Sequence, residues 1–418
     1  MSKLAVTVSI KIRGGFTMDF SYTEEQELFR QAIKEWCEKN LSLEKVREMD
    51  TKEEIPMDVI KGLADLGLLL MTVPEEHGGT GADWVTACIA AEELGYADIS
   101  IAVPVFFLVE ASWGYVVDRY CSEEVREKYI KKAVRGEAFV GIATTEPGGG
   151  SDIASVKTTA KKEGDEWVIN GEKIYISGTE EAKKLGGGYF IIARTQPGLG
   201  HKGMTAFFLP IDAPGVEITK RYEDMGRMAI STGGFVMNDV RLPDEYVLGE
   251  VNKGFYYTME GFDLARLLIG ATAVGATRRA LEIGMEYTKQ RILFGRPLAK
   301  FEGIQFEMAD IWALNEALKS LVYRAAWMVN EKYATGRFGP LEVSKFISAV
   351  KLLGPPLAFE AFEKAMIWLG AYGYTRECPL EMGLRGIMSY CVGAEGGLNI
   401  QRIIIARELL GREYVPYK

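Results

Sequence analysis

Two short stretches carry the residue types and spacing that could do chemistry. The first is Thr144-Thr145-Glu146-Pro147-Gly148-Gly149-Gly150-Ser151-Asp152, entered from the apolar run 138–143. Consecutive glycines permit positive φ and close backbone approach, so amide N–H groups can converge on an anionic or carbonyl-rich ligand. Farther on, Asn170-Gly171 gives a hairpin signal and leads into Lys173-Ile174-Tyr175-Ile176-Ser177. Strict alternation along a strand places Tyr175 and Ser177 on one face and Ile174 and Ile176 on the other. A ring and a hydroxyl on one face suit a flat, polar, phosphate-bearing cofactor, although the same pattern occurs on an ordinary half-buried strand. The loop fits neither GxGxxG nor GxxxxGK[ST], which removes the Rossmann and P-loop readings.

The second stretch surrounds Glu395. Flanked by Ala394 and by Gly396-Gly397, it interrupts two helical patterns at 380–391 and 397–411. A carboxylate there can project into a cavity or cap the following helix. His77 and His201 are the only histidines, which nearly excludes a histidine triad or a multi-histidine metal site and leaves a carboxylate as the candidate general base. The five cysteines are scattered, odd in number and without CxxC spacing. They read as reduced thiols of a cytoplasmic protein, with neither a disulfide frame nor a metal site.

The elements that must position these residues follow from texture. A chain of 418 residues exceeds what one core normally serves, so two or three packed units are expected. From Tyr22 to Arg135 the apolar spacing is helical, opened by the capping signal Thr23-Glu24-Glu25-Gln26 ahead of Leu28, Phe29, Ile33 and Trp36. A break at Pro74-Glu75-Glu76-His77-Gly78-Gly79 divides these helices. Between Phe139 and Gly249, Val, Ile, Thr and aromatic residues alternate between turns, a β pattern. Beyond Gly254 long helical periods return at 260–290, 303–336, 340–369 and 397–411, a frequent oligomerisation surface. The expected layout is α+β and multidomain: a leader of unknown role at 1–17, an α-helical domain at 18–138, an antiparallel β domain at 139–250 and a C-terminal helical bundle at 251–418.

The leader lacks the long apolar core of a signal peptide, and no apolar run approaches the roughly 18–20 residues of a membrane-crossing helix. A net charge of −9 without a basic stripe makes nucleic acid a poor partner.

Several motifs, in order and spacing, resemble the acyl-CoA dehydrogenase family from Tyr22 to Arg412. They are TEPGGGSD at 145–152, NGEKIYIS at 170–177, Phe262-Asp263-Leu264-Ala265-Arg266, Gln290-Arg291 through Phe294-Gly295, and Gly393-Ala394-Glu395-Gly396-Gly397 before Ile400-Gln401-Arg402. The resemblance implies an N-terminal helical domain, a middle antiparallel β domain and a C-terminal four-helix bundle, with FAD between the last two. It also implies roles. Thr144, Thr145 and Gly150 would meet the flavin edge, Tyr175 would cover the ring backed by Ile176, and Ser177 would bond near the reactive nitrogen. Arg291 and Phe294 would reach the FAD of a neighbouring subunit in a homotetramer. Ser151, Asp263, Arg266 and Gly396 would face the acyl-CoA, and Glu395 would be the catalytic base. Some relatives place the base at the position of Ala265, so only Glu395 remains here. The implied reaction is α,β-dehydrogenation of an acyl-CoA to the trans-2-enoyl-CoA, as in fatty-acid β-oxidation, with electrons leaving to electron-transfer flavoprotein. An oxygen-using flavin oxidase or monooxygenase of the same fold, and a non-catalytic CoA-thioester-binding relative, are the competing readings.

This sequence departs from the family pattern in several places. Tyr175 stands for a common tryptophan and Ser177 for a common threonine. One additional residue separates Arg385 from Glu395. Glu302 and Ile367 replace glutamines that touch FAD across the subunit interface, so those contacts are not expected. The absence of arginine at 97–105 argues against a glutarate-type substrate. Glu110, within Phe106-Phe107-Leu108-Val109, is expected to reach solvent or pair with a cation; a pocket role toward a cyclic or branched acyl group is the alternative.

Overall fold

A computed structural model of the chain describes residues 20–416, so the expected leader at 1–17 lies outside the described residues. Helices α1 (Glu24–Asn40), α2 (Leu43–Lys52), α3 (Met57–Asp65), α4 (Trp84–Ala97) and α5 (Ala102–Tyr120) open the fold. Two short helices, α6 (Glu123–Val125) and α7 (Lys131–Val134), flank a π turn at Arg126–Ile130. The expected capping box forms: Thr23 Oγ1 accepts from Gln26 N while the Gln26 side chain accepts from Thr23 N. α5 matters most for the site. Its first turn is capped by buried Asp98, whose Oδ2 accepts from Val103 N at 2.8 Å and whose Oδ1 accepts from Ser100 N at 2.9 Å. Ile101 enters this helix at φ 71°, a left-handed conformation that a β-branched residue adopts only under packing constraint.

The middle unit is one sheet with the order β6-β7-β3-β2-β4-β5-β8, built from β2 (Thr159–Glu163), β3 (Glu166–Ser177), β4 (Gly187–Arg194), β5 (Met204–Pro210), β6 (Val216–Ile218), β7 (Thr232–Pro243) and β8 (Val247–Leu248). The strand that precedes these, β1 (Phe139–Ala143), pairs with β4 in parallel, and helix α8 (Thr179–Leu185) follows β3. The pairing is therefore mostly antiparallel, with β4 meeting both β1 and the first residue of β2 in parallel. Phe139, Tyr189, Phe190, Phe207, Phe208 and Phe235 are fully buried here, each side chain contributing about 1.5–3 kcal/mol.

The expected hairpin at Asn170-Gly171 does not form. β3 runs through both residues, and the reversal occurs earlier, where Glu163 pairs with Glu166 around Gly164 at φ 63°. Gly171 instead permits close packing at a β-bulge: a Cβ there would lie 2.3 Å from Thr158 Oγ1.

Helices return with α9 (Gly254–Gln290). A two-strand hairpin, β9 (Ile292–Leu293) and β10 (Arg296–Pro297), leads to α10 (Glu302–Ala334), α11 (Pro340–Leu369), α12 (Leu380–Val392) and α13 (Leu398–Leu410). A buried charge cluster joins the two helical regions. Glu93 accepts from Arg30 and Arg278 at 2.7 Å each, and Glu92 accepts from Lys319 at 2.9 Å and Tyr323 at 2.7 Å. Among the described residues no helix is long and apolar enough to cross a membrane, and no group of three or more His, Cys, Asp or Glu could hold a metal ion.

Candidate active site

The Glu395 loop is built at the junction of two helices. α12 ends at Val392, Gly396 N donates to Gly393 O at 2.9 Å, and Glu395 takes φ 55° before α13 begins. Three side chains hold this backbone. Arg266 Nε donates to Glu395 O at 2.7 Å, Gln401 Nε2 donates to Gly396 O at 3.1 Å, and buried Lys351 donates to Tyr390 O. Arg266 is itself fixed by Asp263, 3.0 Å away, which also accepts from Ser344 Oγ at 3.1 Å.

The Glu395 carboxylate is asymmetric. Oε1 accepts from Trp113 Nε1 at 3.4 Å, whereas Oε2 is buried and has no hydrogen-bond partner. Burial raises its pKa to about 7, against the opposing pull of Arg266, the Trp113 N–H and Lys351. A carboxylate so placed ionises near neutrality and keeps one lone-pair-bearing oxygen free, which is what a general base requires.

The opposite wall comes from the sheet. β1 delivers Thr144 and Thr145, and Ile174 N donates to Thr145 O at 2.9 Å. Of the three glycines beyond, only Gly149 takes a positive φ, an almost extended 159°, and it forms an isolated bridge with Glu146. The simple alternation expected for 174–177 is broken. A register shift between Ile174 and Ile176 marks a β-bulge, with Tyr175 at φ 56° and its side chain exposed. Such a bulge re-aims side chains, and Tyr175, Ile176 and Ser177 consequently all reach the same cavity. Ser177 Oγ accepts from Arg227 Nη1 at 2.9 Å, and the Tyr175 ring packs on Tyr222 with centroids 4.8 Å apart.

Between these walls lies a cavity of about 1000 Å³. Thr144, Thr145, Gly150, Ser151, Tyr175, Ile176, Ser177, Arg266, Glu395 and Gly396 all line it. Its apolar part is formed by Val105, Leu108, Val109, Met259 and Phe262. Asp263 stands behind Arg266, outside the lining. Arg291 and Phe294 are not among the cavity-lining residues: Arg291 closes α9 just before the β9–β10 hairpin, and Phe294 sits between the two strands, 94% exposed at φ 51°. Glu110 neither reaches solvent nor pairs with a cation. It is fully buried between α5 and β1, its Oε1 accepting from Val140 N at 2.9 Å, and it is not part of the cavity lining. Burial pushes its carboxyl well above the usual range. Sequence reasoning missed Trp113 and Arg227. Both lie outside every motif, and a tryptophan in an apolar helix ordinarily reads as core.

Residues 23–137 match the N-terminal domain of acyl-CoA dehydrogenases, 141–240 the middle domain and 252–410 the C-terminal domain. The chain belongs to the acyl-CoA dehydrogenase family. It is 32% identical over 395 residues to the probable acyl-CoA dehydrogenase YngJ of Bacillus subtilis, covering 94% of this chain and 100% of that protein. It is 32% identical over 387 residues to the mitochondrial short-chain specific acyl-CoA dehydrogenase of Mus musculus, covering 93% and 90% of the two chains. The solved structure of butyryl-CoA dehydrogenase from Megasphaera elsdenii is similar with a TM-score of 0.86 at 30% identity, covering 94% of this chain and 100% of that one. This member of the acyl-CoA dehydrogenase family is accordingly an oxidoreductase acting on acyl-CoA, and its cofactor is FAD.

Proposed function

We propose that the chain catalyses α,β-dehydrogenation of an acyl-CoA thioester to the trans-2-enoyl-CoA, with electrons passing to electron-transfer flavoprotein. The observation that carries this reading is Glu395, which lines a cavity with an apolar side and a polar sheet wall and whose buried Oε2 has no hydrogen-bond partner. In this reading Glu395 removes the α-proton. The apolar surroundings that raise its pKa also exclude water that would otherwise compete for it. Arg266 fixes the backbone carrying the base, and Val105, Leu108, Val109 and Phe262 receive the acyl chain.

The residues present fit FAD. The exposed ring of Tyr175 offers a flat wall, Thr144, Thr145 and Ser177 offer hydroxyls beside it, and the cavity is large enough for a ring system and an acyl chain together. When bound, FAD supplies the acceptor for the hydride leaving the β-carbon. Ser151 and Gly396, at the cavity edge, would meet the CoA thioester, and Arg291 and Phe294 would reach a neighbouring protomer's FAD in a homotetramer. Exposed apolar side chains on the C-terminal helices, among them Trp312 at 60% and Ile367 at 61%, support that assembly. Five free cysteines support a cytoplasmic setting.

The test is anaerobic titration of the yellow protein with acyl-CoAs differing in chain length and branching. Bleaching by one of them, with slow reoxidation in air and fast reoxidation by electron-transfer flavoprotein, is the expected result. Rapid peroxide formation in air would instead establish an oxidase, and a colourless protein would establish a thioester-binding one.

A further inference from the structure

Trp113 touches the candidate base from outside every recognised motif. It lies on α5, four residues beyond Val109 and one helical turn below the apolar cavity lining, and it is fully buried. Its ring cannot turn. Phe190 packs on it with centroids 5.2 Å apart, and Phe262 meets it edge-on at 5.5 Å and 90°. Gly261 completes the seat, since a Cβ there would stand 2.3 Å from the indole. The indole N–H therefore points in one fixed direction, at Glu395 Oε1, 3.4 Å away.

We propose that Trp113 is a positioning residue for proton abstraction, its N–H occupying Oε1 so that Oε2 presents the free lone pair to the substrate α-carbon. The inference rests on the reading of Glu395 as the base. A carboxylate with two equivalent free oxygens on a loop between helices can rotate about its terminal torsion, which is broad and nearly two-fold. A fixed donor on one oxygen selects one orientation. It also favours the ionised form, because a hydrogen bond donated to the anionic carboxylate is stronger than one donated to the neutral acid. The charged and titratable groups facing Glu395 from the other elements are Arg266 on α9, Lys351 on α11 and Tyr390 on α12. Arg266 and Lys351 spend their hydrogen bonds on backbone carbonyls and on Asp263, and the indole N–H is the only side-chain donor recorded on the carboxylate among the described residues.

The experiment compares the full-length, FAD-loaded chain with Trp113→Phe, which keeps an aromatic ring and removes the donor. Anaerobic bleaching by the best acyl-CoA is followed across pH, and the Glu395 carboxyl is titrated by infrared difference against Glu395→Gln. The expected result is a midpoint displaced upward by about one pH unit and bleaching about tenfold slower below it, with FAD content unchanged. An unchanged midpoint in a flavin-loaded Trp113→Phe protein overturns the proposal. Should that variant lose its flavin, 3-benzothienylalanine installed at position 113, which replaces the N–H by sulfur at nearly constant shape, decides the matter by the same two readouts. Glu395→Gln keeps the two readings apart. Normal bleaching in that variant removes the base assignment itself, whereas an inert Glu395→Gln beside an unshifted Trp113→Phe removes only the role of Trp113.

Discussion

Lys173 Nζ lies 2.8 Å from Glu146 Oε1, both side chains buried, and this pair joins β3 to the loop that follows β1. Neither partner relies on the other alone. Glu146 Oε2 also accepts from Lys157 N at 2.6 Å, Glu146 Oε1 accepts from Thr158 Oγ1 at 2.6 Å, and Lys173 donates to Ile192 O at 3.1 Å. Because Thr144, Thr145, Tyr175 and Ser177 stand on the two segments so joined, the pair sets the spacing of the cavity's sheet wall.

Lys173→Met should therefore destabilise the fold by about 3–5 kcal/mol, since it leaves Glu146 buried without its cation. Urea unfolding measures the loss, and flavin content of the purified variant should fall with it. A change below about 1 kcal/mol would show that the backbone donors and the Thr158 hydroxyl hold Glu146 without Lys173.

Glu395 must be ionised to accept a proton. With its pKa raised to about 7, the rate of anaerobic bleaching should climb as pH passes through that value and level off above it. The sign for stability is the reverse. A carboxyl raised by burial favours folding most below the ordinary carboxylate range, and that contribution declines as pH rises through about 7. Glu395→Gln should keep its yellow colour and bleach at least about a hundredfold more slowly.

Glu110 gives a different pH response. Burial holds its carboxyl well above the usual range, and the same side chain accepts the Val140 N–H. Glu110→Gln preserves an acceptor and neutrality and should change stability by under about 1 kcal/mol at pH 6. Glu110→Leu strands the Val140 N–H and should cost about 1–3 kcal/mol. As pH rises above the ordinary carboxylate range the wild type should lose stability relative to Glu110→Gln, because a raised carboxyl pKa contributes stability that is lost as pH rises toward it. Parallel denaturation curves at several pH values would decide.

The exposed Phe294 tests assembly. Phe294→Asp should shift sedimentation from the proposed tetramer toward smaller species and lower the bound FAD, while the folded content measured by circular dichroism stays intact. A fully FAD-loaded monomeric wild type would remove the proposed interface role of both Arg291 and Phe294.

The long helices were legible because α9, α10 and α11 each sustain apolar periodicity for 30 residues or more, enough for spacing to outweigh local exceptions such as Pro355 and Pro356. The Glu395 loop was legible because glycines flank an acid between two such patterns. Asn170-Gly171 misled because a turn dipeptide is a local signal, and tertiary pairing of β3 with β7 on both sides of it overrode that signal. The bulge at Tyr175 has no glycine to announce it, and its effect is to abolish the alternation on which strand faces are read. Trp113 and Glu395 are 282 positions apart, and no spacing rule operates at that distance. Glu110 failed for a simpler reason: a lone acid in an apolar helix suggests solvent or a cation, whereas here a strand's backbone N–H supplies the partner.

Trp113 and Val109 come from the helices before the sheet, Thr144 and Ser177 from the sheet, and Arg266 and Glu395 from the helices after it. No contiguous half of the polypeptide holds a working remnant. In the proposed reaction turnover is a census of the whole chain: a molecule that misplaces any one third should be chemically silent, so specific activity per bound flavin would report the fraction of molecules that are complete.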